Sequence, residues 1–293
     1  MTEFAGQIAL GGATLSMGNI PEVQALDVIH TAYDAGIRFF DTARVYTKVG
    51  DDSHNERLFQ CGLSGRSDVI ISTKGGHWRN GERSFPVDNR PERLRLDAEL
   101  SLRALKLERL PLYYVHRVDM DDVPIEEIVG ELAALQAEGK IERIGISNVT
   151  EDQIRRAAAT ARIAAVQNRV SVRADPNWDP TLGACSELGI TLFGFAIFSS
   201  HPNDPDKRAL PEVLPALALE AGRRGVPLER LVVRAMLAAF SNLSLIVGAT
   251  RSETAREAGA MVTEPWDAAL GEAYEKDRAG LVYGDYRQRP LAL

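Results

Sequence analysis

Eight short runs rich in β-branched and aromatic residues recur along this chain, and a stretch with apolar residues three and four apart follows nearly every one. The runs cover residues 7–10, 39–41, 69–73, 112–115, 143–146, 165–167, 191–195 and 245–247. The intervening segments carry the periodicity of helices packed on one face. Val23, Leu26, Ile29 and Ala32 form the stripe of a helix that Pro21 opens and Gly36 closes. Ile128, Leu132 and Leu135 do the same between Pro124 and Gly139. Thr150-x-x-Gln153 and Thr250-x-x-Glu253 read as capping boxes. Strands alternating with helices argue for a parallel sheet, and eight is the number that closes a barrel. The fold expected is therefore an α/β chain, a (β/α)8 TIM barrel, with residues 1–293 as a single domain. An open doubly wound sheet is the rival, but no G-x-G-x-x-G turn follows the first run, where Gly11-Gly12 is only a pair.

Composition narrows the function. The formal charge of −7 is spread along the chain with no basic stripe, against a nucleic-acid partner. Cys61 and Cys185 are far apart and form no C-x-x-C, so a disulfide framework or a cysteine zinc site is not expected and a reducing cytosol fits. The first residues have no basic region before an apolar core, and no apolar run reaches the roughly 18 residues that span a bilayer. The expectation is a soluble cytoplasmic protein with no membrane partner.

The polar residues at consecutive strand ends carry the chemistry. The second strand delivers Asp41, with Tyr46 in the loop beyond it; the third delivers Lys74 and the fourth His116. Singly, each has a plain structural explanation: a turn residue, a solvated charge, a structural histidine. In a barrel all four converge over one mouth. A tyrosine with a reference pKa of about 10 is a poor acid near neutrality. A lysine about 4 Å away, at an effective dielectric near 20, is worth roughly 4 kcal/mol and lowers that pKa by up to about 3 units, with Asp41 offsetting part of the charge. His116 is placed to hydrogen-bond a carbonyl. The set polarises a carbonyl and needs a hydride that no side chain can donate, so a cofactor is required.

The segments F-F-D-T-A-R-V-Y, I-S-T-K-G-G, Y-Y-V-H-R-V-D, G-K-I-E-R-I-G-I-S-N and V-Q-N-R-V-S, in that order, resemble the aldo-keto reductases from about residue 8 to about residue 262. The resemblance implies reduction of an aldehyde or ketone with a nicotinamide cofactor, NADPH in preference to NADH. It implies Tyr46 as general acid, Lys74 as its activator, Asp41 as the partner of the lysine and His116 as the carbonyl-orienting residue. Ser147, Asn148 and Gln167 match positions that hold the nicotinamide carboxamide, and Phe195 falls where a tyrosine usually stacks on the ring. The last motif departs from the family pattern. In I-V-G-A-T-R-S-E-T-A-R-E-A, Gly248 and Thr250 remain, Arg251 is placed to pair with a 2′-phosphate, and Thr254 and Ala258 replace the usual Gln and Asn. The first strand begins so early that the customary N-terminal floor hairpin is not expected, and the 198–208 loop, with His201, has no long glycine-rich strap.

Arg44, Trp78 and Arg117 are the expected substrate-pocket residues, with His77, Phe85, Tyr283 and Tyr286 as further candidates. They suggest a polar-rimmed aromatic cleft for a sugar-like, heteroaromatic or keto natural-product substrate. Two other classes compete. A metal-dependent hydrolase needs clustered ligands, whereas His30, His54, His77, His116 and His201 are dispersed, and no metal is expected. A non-catalytic nicotinamide-binding or interaction protein on the same barrel is the alternative that the altered last motif keeps open.

Overall fold

The computed structural model describes residues 2–18, 20–173, 180–198 and 208–280. In chain order the elements are β1 (Ile8–Gly11), α1 (Ala13–Met17), α2 (Glu22–Asp34), β2 (Phe39–Asp41), α3 (His54–Gly62), β3 (Ile70–Gly75), α4 (Pro91–Leu105) and β4 (Leu112–Val115). They continue as α5 (Ile125–Ala137), β5 (Ile144–Ser147), α6 (Glu151–Thr160), β6 (Ile163–Arg169), α7 (Pro180–Glu187), β7 (Thr191–Phe195), α8 (Leu210–Val213), α9 (Pro215–Arg224) and α10 (Leu228–Ala239). The described chain ends in β8 (Leu243–Gly248), α11 (Ser252–Thr263) and α12 (Ala268–Ala279). The strands form a closed barrel in chain order, every neighbouring pair parallel, with β8 returning to β1 through the Gly11–Gly248 register. This is the expected (β/α)8 architecture. No helix among the described residues is long and apolar enough to cross a membrane.

All eight strands lie where the β-rich runs stand. Their ends are longer in places: β3 continues through Lys74 to Gly75, and β6 extends at both ends. The helix signals divide. At α6 the Thr150 hydroxyl accepts from the Gln153 N–H at 3.3 Å while the Gln153 side chain accepts from the Thr150 N–H at 2.9 Å, a complete capping box. The matching expectation at Thr250 is corrected: Arg251 is the N-cap of α11, with extended backbone and no side-chain cap. Thr250 is held elsewhere, its carbonyl accepting Gln24 Nε2 from α2 at 2.6 Å.

Two apolar layers surround the strands. The outer one packs helices on the barrel; the inner one fills its lower half with Phe4, Ala9, Phe39, Leu112, Tyr114, Ala165, Phe193 and Ile246. Residues before β1 form turns, and a single ring from this segment reaches into the barrel floor. Phe4 is 3% exposed, with its centroid 5.6 Å from Phe39 and 6.0 Å from Phe193. Its N–H donates to Thr191 Oγ1 at 3.2 Å and its carbonyl accepts from Ser244, tying the plug to β7 and β8. Polar side chains occupy the opposite, C-terminal end, where the chemistry is expected. Phe4→Ala removes the plug and should lower the unfolding free energy by about 3–5 kcal/mol in urea denaturation.

Candidate active site

Asp41 ends β2, Lys74 is the penultimate residue of β3, and His116 follows the last residue of β4. The chain beyond β2 keeps bonding to β3: the Thr42 N–H donates to the Ser72 carbonyl at 2.9 Å and the Arg44 N–H to the Lys74 carbonyl at 3.1 Å. A turn then closes from the Tyr46 N–H to the Ala43 carbonyl at 3.1 Å, which brings the Tyr46 ring back over Lys74. The K-G-G motif has a packing cause. A Cβ on Gly75 would lie 1.9 Å from the Tyr113 hydroxyl, and Gly76 takes a φ of +77° while its N–H donates to Asp97.

Lys74 is fully buried. Its Nζ donates to Asp41 Oδ2 at 2.6 Å and to the Thr42 carbonyl at 2.8 Å, and lies 4.8 Å from the centre of the Tyr46 ring. Asp41 Oδ1 accepts from Ser72 Oγ at 2.8 Å and from Gln167 Nε2, across the barrel, at 3.0 Å. Tyr46 meets His116 edge to face, 5.5 Å between centroids at 85°. The structure therefore brings together the four residues read from the strand ends.

The electrostatics correct one expectation. Burial raises the Tyr46 pKa; Lys74 opposes this and Asp41 adds to it, and the net direction is upward from the usual tyrosine value. Tyr46 thus carries its proton firmly at neutral pH. Burial, then the charge of Lys74 and the neighbouring His77 and Arg117, holds His116 well below the ordinary histidine range, so its imidazole is neutral. Among the described residues its Nδ1 has no hydrogen-bond partner.

The positions matched to cofactor binding lie around the same mouth. Ser147, paired in register with Gln167, donates through Oγ to the Gln167 carbonyl at 2.8 Å. Asn148, with φ +57°, donates from Nδ2 to the His116 carbonyl at 2.8 Å, and Gln167 is turned to Asp41. Phe195 ends β7 half-buried, packed on the inner apolar cluster. Gly248 is exposed at the end of β8; beyond it Thr250 is half-buried and Arg251 is exposed, with no ion pair among the described residues. Ala258 is buried, so it cannot serve in place of the family's polar residue.

The pocket residues part company. Arg117 is 5% exposed, its guanidinium fixed by both oxygens of Asp119 at 2.8 and 2.9 Å beside the two histidines. Trp78 is half-buried with the Arg93 guanidinium stacked 3.7 Å from its ring centre. Arg44 is a correction: it is 3% exposed and its guanidinium turns outward to α3 and α4, bonding Ser53, pairing with Glu56 at 3.2 Å and lying 3.8 Å from Asp97. Glu56 also accepts from Thr73 Oγ1 at 2.7 Å. This buried network, which nothing in the spacing of the sequence marked, fixes the loop that carries Tyr46. Tyr283, Tyr286, His201 and most of the 198–208 loop lie outside the described residues.

The fold and the site define a parallel eight-stranded barrel with a buried Asp–Lys pair beneath a tyrosine and a neutral histidine at its C-terminal mouth. The family model described as "Aldo/keto reductase family" matches residues 7–265, and the chain belongs to that family. It is 38% identical over 179 residues to the "Probable aldo-keto reductase 1" of Glycine max, which covers 60% of this chain and 50% of that protein. The chain thus spans about half the length of this curated relative. Among solved structures it is similar to a glycerol dehydrogenase from Gluconobacter oxydans, with 24% identity and a TM-score of 0.78 over 97% of this chain and 95% of that one. It is also similar to an aldo/keto reductase from Klebsiella pneumoniae, solved in complex with NADP and acetate, with 21% identity and a TM-score of 0.74 over 94% and 90% of the two chains.

Arg44→Met leaves Glu56 buried without its cation. It should cost about 3–5 kcal/mol of unfolding free energy, read by urea denaturation; a loss under about 1 kcal/mol would show that the network does not hold the loop.

Proposed function

We propose that this protein reduces an aldehyde or ketone with NADPH, Tyr46 delivering the proton to the carbonyl oxygen. The observation that carries the reading is the Lys74–Asp41 ion pair buried beneath Tyr46, with neutral His116 beside it. A buried ion pair of this kind is costly and adds little to stability over an apolar pair, so its place under a tyrosine supports a catalytic use.

The residues present fit a nicotinamide dinucleotide at both ends. Phe195 offers a half-buried aromatic face at the mouth, with Ser147, Asn148 and Gln167 around it for a carboxamide. The N-terminus of α11 has no side-chain cap, and its exposed Arg251 makes no ion pair among the described residues, a combination suited to a 2′-phosphate. When bound, the nicotinamide supplies the hydride to the carbonyl carbon. His116, held neutral, donates a hydrogen bond to the carbonyl oxygen without competing as a base. As negative charge develops there, the oxygen becomes far more basic than a phenolate, and the proton moves from Tyr46 despite its raised pKa. Lys74 stabilises the phenolate left behind, and Asp41 keeps the ammonium in place. The same groups serve alcohol oxidation in reverse. Both cysteines are free thiols, which supports a cytoplasmic setting.

Tyr46→Phe should lower kcat about 10²–10⁴-fold while the NADPH affinity, followed by quenching of tryptophan fluorescence, stays within about twofold; unchanged turnover overturns the assignment. Arg251→Ala should weaken NADPH binding about tenfold or more and leave NADH binding nearly as it was, which the same titration measures.

A further inference from the structure

Gln167 turns to Asp41 inside the barrel, whereas Asn168, the next residue of β6, turns to the other face and is buried there. Its side-chain amide meets both backbone groups of a single residue. The Val149 N–H donates to Asn168 Oδ1 at 3.1 Å, and Asn168 Nδ2 donates to the Val149 carbonyl at 2.8 Å. An N–H only donates and a carbonyl only accepts, so one orientation of the amide satisfies both.

Val149 stands two residues past the end of β5, and the residue between them departs from strand geometry. Asn148 has φ +57°. Lys106 shares this backbone at the C-terminal cap of α4, where it is common; Asn148 adopts it at a strand end. Left-handed backbone is unfavourable for a residue with a side chain and needs support from its surroundings. Before the turn, the Asn148 N–H donates to the Gln167 carbonyl at 3.1 Å. After it, the direction of the Val149 N–H depends on ψ of Asn148, so the bond to Asn168 Oδ1 holds the turn directly. The bond from Nδ2 holds the next peptide plane, which leads into the Thr150 cap of α6.

The turn decides where Asn148 points. Along β5, Ile144 and Ile146 pack in the outer apolar layer, while a Cβ on Gly145 would strike Tyr114 of the inner one. Straight continuation of that alternation would send Asn148 outward among the helices. The left-handed turn brings it back to the mouth, where its Nδ2 donates to the His116 carbonyl at 2.8 Å and to Ser147 Oγ at 3.1 Å.

We propose that Asn168 is a positioning residue for the cofactor: by holding both backbone groups of Val149, it keeps Asn148 in the turn that places Ser147 and Asn148 for the nicotinamide carboxamide. It acts through Asn148, from the outer face of the sheet. The proposal rests on the carboxamide placement proposed above.

The test measures the dissociation constants of NADPH and of 2′-phospho-ADP-ribose, which lacks the nicotinamide, by calorimetry in the wild type, Asn168→Ala and Asn168→Asp. The aspartate keeps the acceptor for the Val149 N–H and sets a carboxylate oxygen against the Val149 carbonyl. Both substitutions should weaken NADPH binding about tenfold and leave 2′-phospho-ADP-ribose within about twofold of the wild type. Loss of affinity for both ligands alike assigns Asn168 to the fold as a whole and overturns the proposal; unchanged affinity for both overturns it as well. The wild type separates this failure from that of the underlying reading. If it binds NADPH no more tightly than 2′-phospho-ADP-ribose, the carboxamide placement falls and the role of Asn168 with it, whereas consumption of NADPH with propanal upholds the reductase reading in either case.

Discussion

The contact between Lys74 Nζ and Asp41 Oδ2, 2.6 Å long and closed to solvent, sets the terms for everything around it. Two charges removed from water lose several kcal/mol of hydration each, and Coulomb attraction offsets this only if their remaining hydrogen-bonding capacity is filled. The barrel fills much of it from three strands: Ser72 from β3, Gln167 from β6, and the Thr42 carbonyl just past β2. Each donor or acceptor depends on the parallel register. Asp41 is opposite Ser72, and Gln167 reaches across from the far wall because the barrel is closed. Displacing one strand by a residue would turn Lys74 outward and strand the aspartate. The pair therefore ties strand register to the position of a charge under Tyr46.

That charge does not make Tyr46 a strong acid in the resting protein. A lysine alone would draw the phenol pKa down, but this lysine comes with its own carboxylate and the phenol with its own burial, and the balance is upward. Catalysis needs no acidic phenol at rest. It needs a proton donor that responds to charge developing on the oxygen beside it, and a preorganised ammonium that favours the phenolate once the proton has left. The same cation helps to keep His116 unprotonated, so one buried charge serves the acid and the orienting group in opposite directions.

The sequence made the barrel legible because each strand is an apolar run ended by a polar residue, and Asp41, Lys74 and His116 could be placed from that rule alone. Arg44 departs from its expected place in the pocket for a reason visible in the backbone. Thr42 and Arg44 continue the bonding to β3, so the two-residue alternation persists beyond the strand: Thr42 turns out to Asn55 and Arg44 to Glu56, while Asp41 turns in. Only the turn closing on Ala43 breaks the alternation and returns Tyr46 to the mouth. In β3 the same period sends Ser72 and Lys74 inward to Asp41 and Thr73 outward to Glu56. Glu56 and Asp97 carry no local signal of this, because their helices show ordinary amphipathic spacing and their partner lies in another segment. Thr250 does not cap α11 because the helix starts one residue later, with Arg251 as its N-cap, while the Thr250 carbonyl accepts from Gln24 of α2.

The mouth thus divides into a charged layer and a neutral one. Below, Lys74 is compensated by Asp41; behind, Arg117 is compensated by Asp119. Facing the opening are groups that these cations and their own burial keep uncharged: the tyrosine protonated, both histidines deprotonated. Among the described residues, this part of the mouth is dense in hydrogen-bonding atoms whose protons are fixed. Discrimination there follows from how many oxygens a molecule presents and how far apart they lie.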